Sequence, residues 1–522
     1  MALGTQKTQQ RFDNPRDLLG DRLKEGSLYR LLADHGDEMF PDDYFSDLYS
    51  DSAKGRPTIP ARVMATVMLL QAFEGLSDRE AVDRLSFDLR WQASAGVDTG
   101  AESFHPTALV GQRNRLRASA RPRRLFEDTK VVAKQTGAMK GRARVLDSTP
   151  VYDAVATEDT VTQLRASIRK LLGCLDQASS PLAREIRSVL LRDDDYATAG
   201  KPPCDWDDRA AREALVDDLV RDCLAALAAI DNKELPVSCV GSAELLALVA
   251  GQDVAQGDDG IFRIEQKVAR DRVISTVDVE ARHGHKSRNR RFDGYKAHLS
   301  VDPDSELICE IAATPANTQD RDAVPELLGE EAEGDDKPVV LGDSAYADGK
   351  TRHELGEAGF ALVAKCPPQR NSTGGFPKDR FAIDLEQMTV TCPATNVVPI
   401  TLTSDGGGRA SFKAHCGSCP LKAACTKSRS GRTISVHRYE QILARARAEQ
   451  ADPAWAAAYR ADRPIVERKI SHFTRRAWGA RKARTRGLKR ISTDLDTRAG
   501  ALNWARLAIL GLHLDANGWA IG

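Results

Sequence analysis

Residues 144–149 read Arg144-Val145-Leu146-Asp147-Ser148-Thr149, and residues 339–346 read Val339-Val340-Leu341-Gly342-Asp343-Ser344-Ala345-Tyr346. Each is a short apolar run of strand character that delivers an Asp at its end. Val339 to Asp343, a helix near Lys350 to Ala358, and Phe360 to Ala364 make one βαβ unit. Ligands of open α/β sheets gather at the carboxyl ends of the strands, where Asp343 falls. A third acid, Glu467, closes Arg463-Pro464-Ile465-Val466-Glu467 on a helix whose neighbours are mostly Arg or Lys. Clustered carboxylates repel one another, so three at one point imply bound divalent cations. Two-metal phosphoryl transfer needs such a cage.

Taken singly, each acid has a plainer reading. Asp147 before Ser148-Thr149 can cap a turn, and Gly342-Asp343-Ser344 can form an Asx-turn. Asp153 shares strand parity with Asp147 and is its nearest rival. Glu440 and Glu449 are the rivals of Glu467, but they lack its flanking Arg463, Arg468, Arg475 and Arg476.

The chain has 522 residues, room for several domains. Met1 to Asp17 is polar, without the apolar segment of an export signal. The longest apolar stretch, near Val63 to Phe73, is too short to span a bilayer. A soluble cytoplasmic protein with no membrane partner is expected, its ten cysteines serving as free thiols or metal ligands. The formal charge is zero but segregated: residues 460–490 hold twelve Lys or Arg against two acids, and residues 193–222 hold ten acids against four bases. A lone charge run is usually a solvated face. Here the basic run surrounds Glu467, as a polyanion site would.

Residues 10–135 show helical periodicity. Ile59-Pro60-Ala61-Arg62 opens one helix, and Gly75-Leu76-Ser77-Asp78-Arg79-Glu80 reads as a turn and N-cap into the next, compatible with a helix-turn-helix. The arginines between Arg113 and Arg124 support phosphate contact. The divisions are a helical DNA-binding domain at 1–139, core segments at 140–158, 265–370 and 437–522, an acidic all-helical insertion at 159–264, and a cysteine-rich insertion at 371–436. Strands are expected at Val273 to Val279, Tyr295 to Val301 and Leu307 to Ala313. Cys392, Cys416, Cys419 and Cys425 lie in a Gly- and Pro-punctuated stretch with little core of its own, and a structural Zn²⁺ would staple it. Unliganded thiols or a Cys416/Cys419 redox pair are the alternatives, and His415 and His437 are substitute ligands.

With these residues in place, the chain resembles bacterial insertion-sequence transposases of the DDE class, in the group numbered eleven-eighty-two with its cysteine-bearing insert. The resemblance covers nearly the whole chain. It rests on Leu146 to Thr149, Gly294 to His298, Thr314 to Asp320, Gly342 to Tyr346 and the span Tyr459 to Arg475. That last span is similar to the family's Tyr-Arg-Glu-Lys signature, with Tyr459, Arg463, Glu467 and Arg475 in those roles. It departs by Arg475 at the Lys position, by longer loops, and by Pro464, which predicts a helix start or kink close before Glu467. The resemblance implies an α/β ribonuclease H-like core holding Mg²⁺ or Mn²⁺ on Asp147, Asp343 and Glu467. It further implies cleavage at the ends of a mobile element, then strand transfer into target DNA. Tyr459, Arg463, Arg468, Lys469, Arg475, Arg476 and Lys296 are the expected contacts to double-stranded DNA, both terminal inverted repeats and target, with a homodimer in the DNA complex. A hydrolytic nuclease and a non-catalytic zinc-containing DNA-binding protein are the competing readings.

Overall fold

The computed structural model describes the chain apart from residues 1–13, 50–56, 102, 266–268, 270, 288, 334–336, 372–373 and 475–480. A six-stranded mixed sheet positions the site. Its strands are β1 (Ala143–Tyr152), β2 (Arg282–Ser287), β3 (Arg290–Val301), β4 (Ile308–Pro315), β5 (Val339–Gly342) and β6 (Leu362–Ala364). β1 pairs antiparallel with β3, from Val145↔Val301 to Tyr152↔Gly294. The far edge of β3 is shared by β4 and β2. On the other side of β1, β5 and then β6 run parallel to it.

Asp147 does not end its strand. β1 is ten residues long and continues to Tyr152, because β3 stays paired with it throughout. β5 accompanies β1 only from Ala143 to Val145. Pro150, which has no N–H to offer, therefore falls where the ladder is one-sided and a missing donor costs little.

Strand alternation sends Val145 and Val151 to one face of the sheet and Leu146 to the other. The first face packs on helix α3 (Pro453–Phe473) and helix α4 (Leu488–Ile509) through Val466, Phe473, Ile491 and Leu495. The second buries Leu146 and Val340 against Val324, Leu327, Leu355 and Phe360. The stretch expected as a strand at Val273 to Val279 is irregular. Its backbone is held by side chains instead: Gln252 accepts from Val273 N at 2.9 Å, Gln163 donates to Val273 O at 2.9 Å and Glu158 accepts from Thr276 N at 2.7 Å.

The N-terminal part is helical, and in helix Ala61–Glu74 every residue from Ala61 to Gln71 is buried. Gly75, in the left-handed region at φ 68°, ends it. Ser77 and Glu80 form a reciprocal capping box for helix Asp78–Phe87. Helices α1 (Thr107–Ala118) and α2 (Arg124–Gln135) join this part to α4, where Leu109, Leu125 and Val132 share a core with Ala501, Trp504 and Leu507.

The arginines of residues 113–124 mostly hold this assembly together. Arg113 pairs with Asp78 at 2.5 Å, Arg121 with Asp128 at 2.8 Å and Arg124 with Asp47 at 2.5 Å, while Arg115 stacks over Tyr49. Arg123 bridges Glu310 and Asp496, the latter at 3.0 Å. Five of the six arginines expected to contact phosphate thus have partners within the protein, Arg121 while still half-exposed.

Burial pushes the Asp496 carboxyl up to about 7, against the pull of Arg123 and with the added repulsion of Glu310. The unfolded value is about 3.9. A raised carboxyl holds its proton more tightly when folded, so its contribution is complete below pH ~4 and disappears as pH rises through ~7. The urea midpoint of Asp496→Asn is expected to fall less than that of the wild type between about pH 5.5 and 8. Parallel curves for the two proteins would show an Asp496 that titrates normally.

In the acidic insertion, helices Thr160–Gln177, Leu182–Val189, Arg209–Ile230 and Val237–Gln252 pack chiefly on one another, around Leu164, Leu171, Leu219 and Leu246. A disulfide joins Cys174 to Cys239, Cα atoms 5.6 Å apart, correcting the expectation that all thiols are free or metal-bound. Where the insertion leaves and rejoins the core, Glu158 N donates to Ile274 O at 2.9 Å. The cysteine-bearing segment forms a five-stranded antiparallel meander from Ala382 to Val436. Phe381, Val390, Ile400, Phe412 and Ile434 supply its core. Among the described residues no helix is long and apolar enough to cross a membrane.

Candidate active site

The parallel pairing of β1 with β5 runs Ala143↔Val339, Arg144↔Val340, Val145↔Leu341. Asp147 and Asp343 each stand two residues beyond the last of these pairs. They therefore project from neighbouring positions on one face, about one strand spacing (~4.8 Å) apart before the strands diverge. That face meets α3, through Val145, Leu341 and Val466. The two charges are near enough that Asp343 raises the Asp147 carboxyl. Burial does so most, opposed by Arg463 and by the Ser148 amide.

Helix α3 presents Tyr459, Arg463 and Glu467 at four-residue intervals, one stripe of its surface. Tyr459 Oη donates to Gly342 O at 3.1 Å, fixing the helix to the end of β5. Arg463 is buried, and its Nη2 lies 2.9 Å from Asp147 Oδ2. Glu467 follows one turn later and is exposed. Its charge is felt at Tyr459. Pro464 neither starts nor ends a helix: α3 is continuous over 21 residues, so Glu467 is far inside it. The proline and Arg460, whose carbonyl loses its intrahelical partner, are both on the exposed side, where water satisfies the orphaned group.

Both oxygens of Asp147 are engaged, Oδ1 by Ser148 N at 2.8 Å and Oδ2 by Arg463. Asp343 Oδ1 accepts from Ala345 N at 2.8 Å, so the Asx-turn is real and coexists with placement beside Asp147. Among the described residues, two buried polar atoms at this point have no hydrogen-bond partner, Arg463 Nη1 and Tyr346 Oη. The rivals lie elsewhere. Glu440 is bound by Lys378 at 2.5 Å and Arg447 at 2.6 Å, Glu449 by Arg445 at 2.9 Å, and Asp153 is past the end of β1.

On the opposite face, Ser148 Oγ donates to Asp320 Oδ2 at 2.9 Å, and Lys296 Nζ reaches Asp320 Oδ1 and Thr318 O, each at 2.8 Å. Lys296 is thus a brace behind β1. Asp320 was not singled out as a site residue in sequence, and its signal was its place at the end of Thr314 to Asp320. Arg468 pairs with Glu306. Lys469 is 4 % exposed, and burial lowers its ammonium to about 8. Neither is on the Asp147 stripe. Arg475 and Arg476 lie outside the described residues.

Cys392, Cys416, Cys419 and Cys425 line one cavity of about 20 Å³, with His415 at its wall. That is room for one water-sized occupant. Burial, and then the neighbouring sulfurs of Cys416, Cys392 and Cys419, push the Cys425 thiol up, while Arg432 opposes them. The donor types suit a zinc ion at the sulfur cluster and a hard divalent cation at the carboxylates. Yet among the described residues no three His, Cys, Asp or Glu side chains are close enough together to hold a metal ion. Two carboxylates and Arg463 converge; Glu467 does not close the set.

Residues 391–508 match the family described as "Transposase DDE domain", and residues 17–115 match "Transposase domain (DUF772)". Together the two matches indicate an insertion-sequence transposase of the DDE type, an enzyme of DNA transposition. Glu467 and all four thiols, Cys392, Cys416, Cys419 and Cys425, fall inside the first match; Asp147 and Asp343 lie outside both. No curated protein and no solved structure matches the chain. Enzymes of this family generally use a divalent metal.

Proposed function

We propose that this transposase cleaves DNA at the ends of its element and transfers the freed strand to a target, using Asp147, Asp343 and Glu467 as its acidic set. The observation that carries the reading is the shared register of Asp147 and Asp343 beneath the Tyr459–Arg463–Glu467 stripe. The strand order, with one antiparallel and one parallel neighbour flanking β1, supports a ribonuclease H-like core. Mg²⁺ or Mn²⁺ on the carboxylates would supply charge neutralisation for an in-line displacement at phosphorus. The protein's own part is positional. Tyr459 anchors α3 to β5, and Ser148 N and Arg463 orient the Asp147 carboxylate.

Incubation of the protein and Mg²⁺ with a duplex carrying the inverted repeats that flank its gene, together with target DNA, tests this. Joined products are expected. Cut ends without joining would favour the hydrolytic nuclease. For the thiol cluster the proposal is a structural zinc, and metal analysis of purified protein is expected to give about one zinc per chain. A zinc-free, fully folded preparation would leave four free thiols there.

A further inference from the structure

Among the described residues, Arg117 is the one arginine of residues 113–124 that neither pairs with an acid nor stacks on an aromatic ring. It opens instead into a cleft between α1 and the start of α4, lined also by Asn114, Glu280, Arg486, Lys489 and Arg490. Asn114 takes one Arg117 N–H through its side-chain oxygen. Among the described residues, none of Arg117, Arg486, Lys489 and Arg490 forms an ion pair. Burial, Arg490 and Arg113 together lower the Arg117 guanidinium below its ordinary value. Four cations gathered from two separate segments, with Glu280 the one acid among the cleft's lining residues, leave a net positive charge that suits an anion supplied from outside.

The only acid in the cleft, Glu280, is committed to the helix: its Oε2 accepts from Leu488 N at 2.7 Å, in the first turn of α4. Arg486, Lys489 and Arg490 are exposed, so a large ligand can reach them. Past Asp147, β1 runs five residues to Tyr152, about 17 Å of strand. There Tyr152 N donates to Arg481 O at 2.6 Å and Ala483 N to Tyr152 O at 2.7 Å. Exposed Arg481 and Lys482 thus lie beside the end of β1, shortly before Arg486 in the chain.

We propose that this cleft is a second duplex-binding surface, which grips backbone phosphates away from the reacting phosphate. One wall is helix α1, which begins within the match at residues 17–115 and carries Arg117 just beyond it, and the other is the start of α4 within the DDE match, so a bound duplex would touch both segments. The inference rests on the transposase reading and adds a location for DNA that the acidic set does not define. Phosphate contacts position a duplex without reading its sequence.

The test is equilibrium binding of full-length protein to a duplex of unrelated sequence, in chelator so that no cutting occurs, over a range of salt. Arg117→Ala/Lys489→Ala/Arg490→Ala is expected to bind more weakly on every sequence. Its slope of log affinity against log salt should be lower by about two to three units, at roughly 0.9 per lost phosphate contact. Arg117→Lys/Arg490→Lys, which keeps the charges, is expected to retain the wild-type slope; a loss there too would mean that the cleft does not act through phosphate charge and would overturn the proposal. If the wild type binds and the triple Ala variant binds with the same affinity and slope, the cleft is not a DNA surface, while the transposase reading stands. If the wild type binds no duplex at any salt, both fail.

Discussion

Asp147→Asn is expected to lower DNA strand cleavage on the order of 10³-fold or more while changing duplex affinity by less than about two-fold, and Asp343→Asn is expected to do the same. Phosphoryl transfer with divalent cations gains several kcal/mol from charge stabilisation at the reacting phosphate, and each 1.36 kcal/mol is tenfold in rate. An amide keeps the size of the carboxylate and loses its charge, so the site should assemble but fail to retain the cation. Asp147 and Asp343 share one register position on adjacent strands, so the two losses should be similar and together little worse than either alone. A radiolabelled cleavage assay beside a binding measurement checks this. Equal cleavage by wild type and Asp147→Asn would remove Asp147 from the chemistry, and equal loss of binding and cleavage would make it a structural residue.

The second large effect concerns Arg463. Among the described residues its guanidinium is the only cation paired with Asp147, and both partners are largely shielded, 9 % and 17 % exposed in their side chains. Taking away one member of such a pair strands the other, at a cost of about 3 kcal/mol or more. Arg463→Ala is therefore expected to unfold at clearly lower urea than the wild type in chelator. Millimolar Mg²⁺ should return part of the difference, because a bound divalent cation replaces the missing positive charge beside Asp147 and Asp343. If Mg²⁺ shifts the variant no more than the wild type, these carboxylates do not take up the ion. Arg463→Lys should fall between, since an ammonium supplies charge without the planar fork.

What the sequence revealed was what short-range rules govern. Gly75, Ser77 and Glu80 announce a helix end and a capped restart within six residues, and the structure has both. The runs before Asp147 and Asp343 carry strand composition, and both are strands. The length of β1 was illegible because it depends on β3, more than a hundred residues away in the chain, staying paired beyond Asp147. The fate of the arginines was hidden for the same reason. Nothing local to Arg123 points to Glu310 or Asp496, and nothing near Arg463 points to Asp147. Proximity to a candidate catalytic residue therefore overstated the share of basic side chains available to DNA. Lys469 and Arg468 flank Glu467 in sequence, yet a helix turns successive residues through about 100°, which takes both off the stripe.

The hydrogen bond from Glu158 N to Ile274 O has a meaning for exchange of parts between genes. A segment whose entry and exit are already in contact, and whose helices pack chiefly on one another, can be traded for a tight turn without asking the sheet to move. Closure costs only ~0.6 kcal/mol per doubling of loop length, so a graft of quite different size at the same doorway is nearly as cheap to the sheet as the native one. The acidic helices are thus a cassette anchored at one doorway, where Gln163 and Gln252 also hold Val273, and free to diverge elsewhere while β1 and β3 keep Asp147 in register.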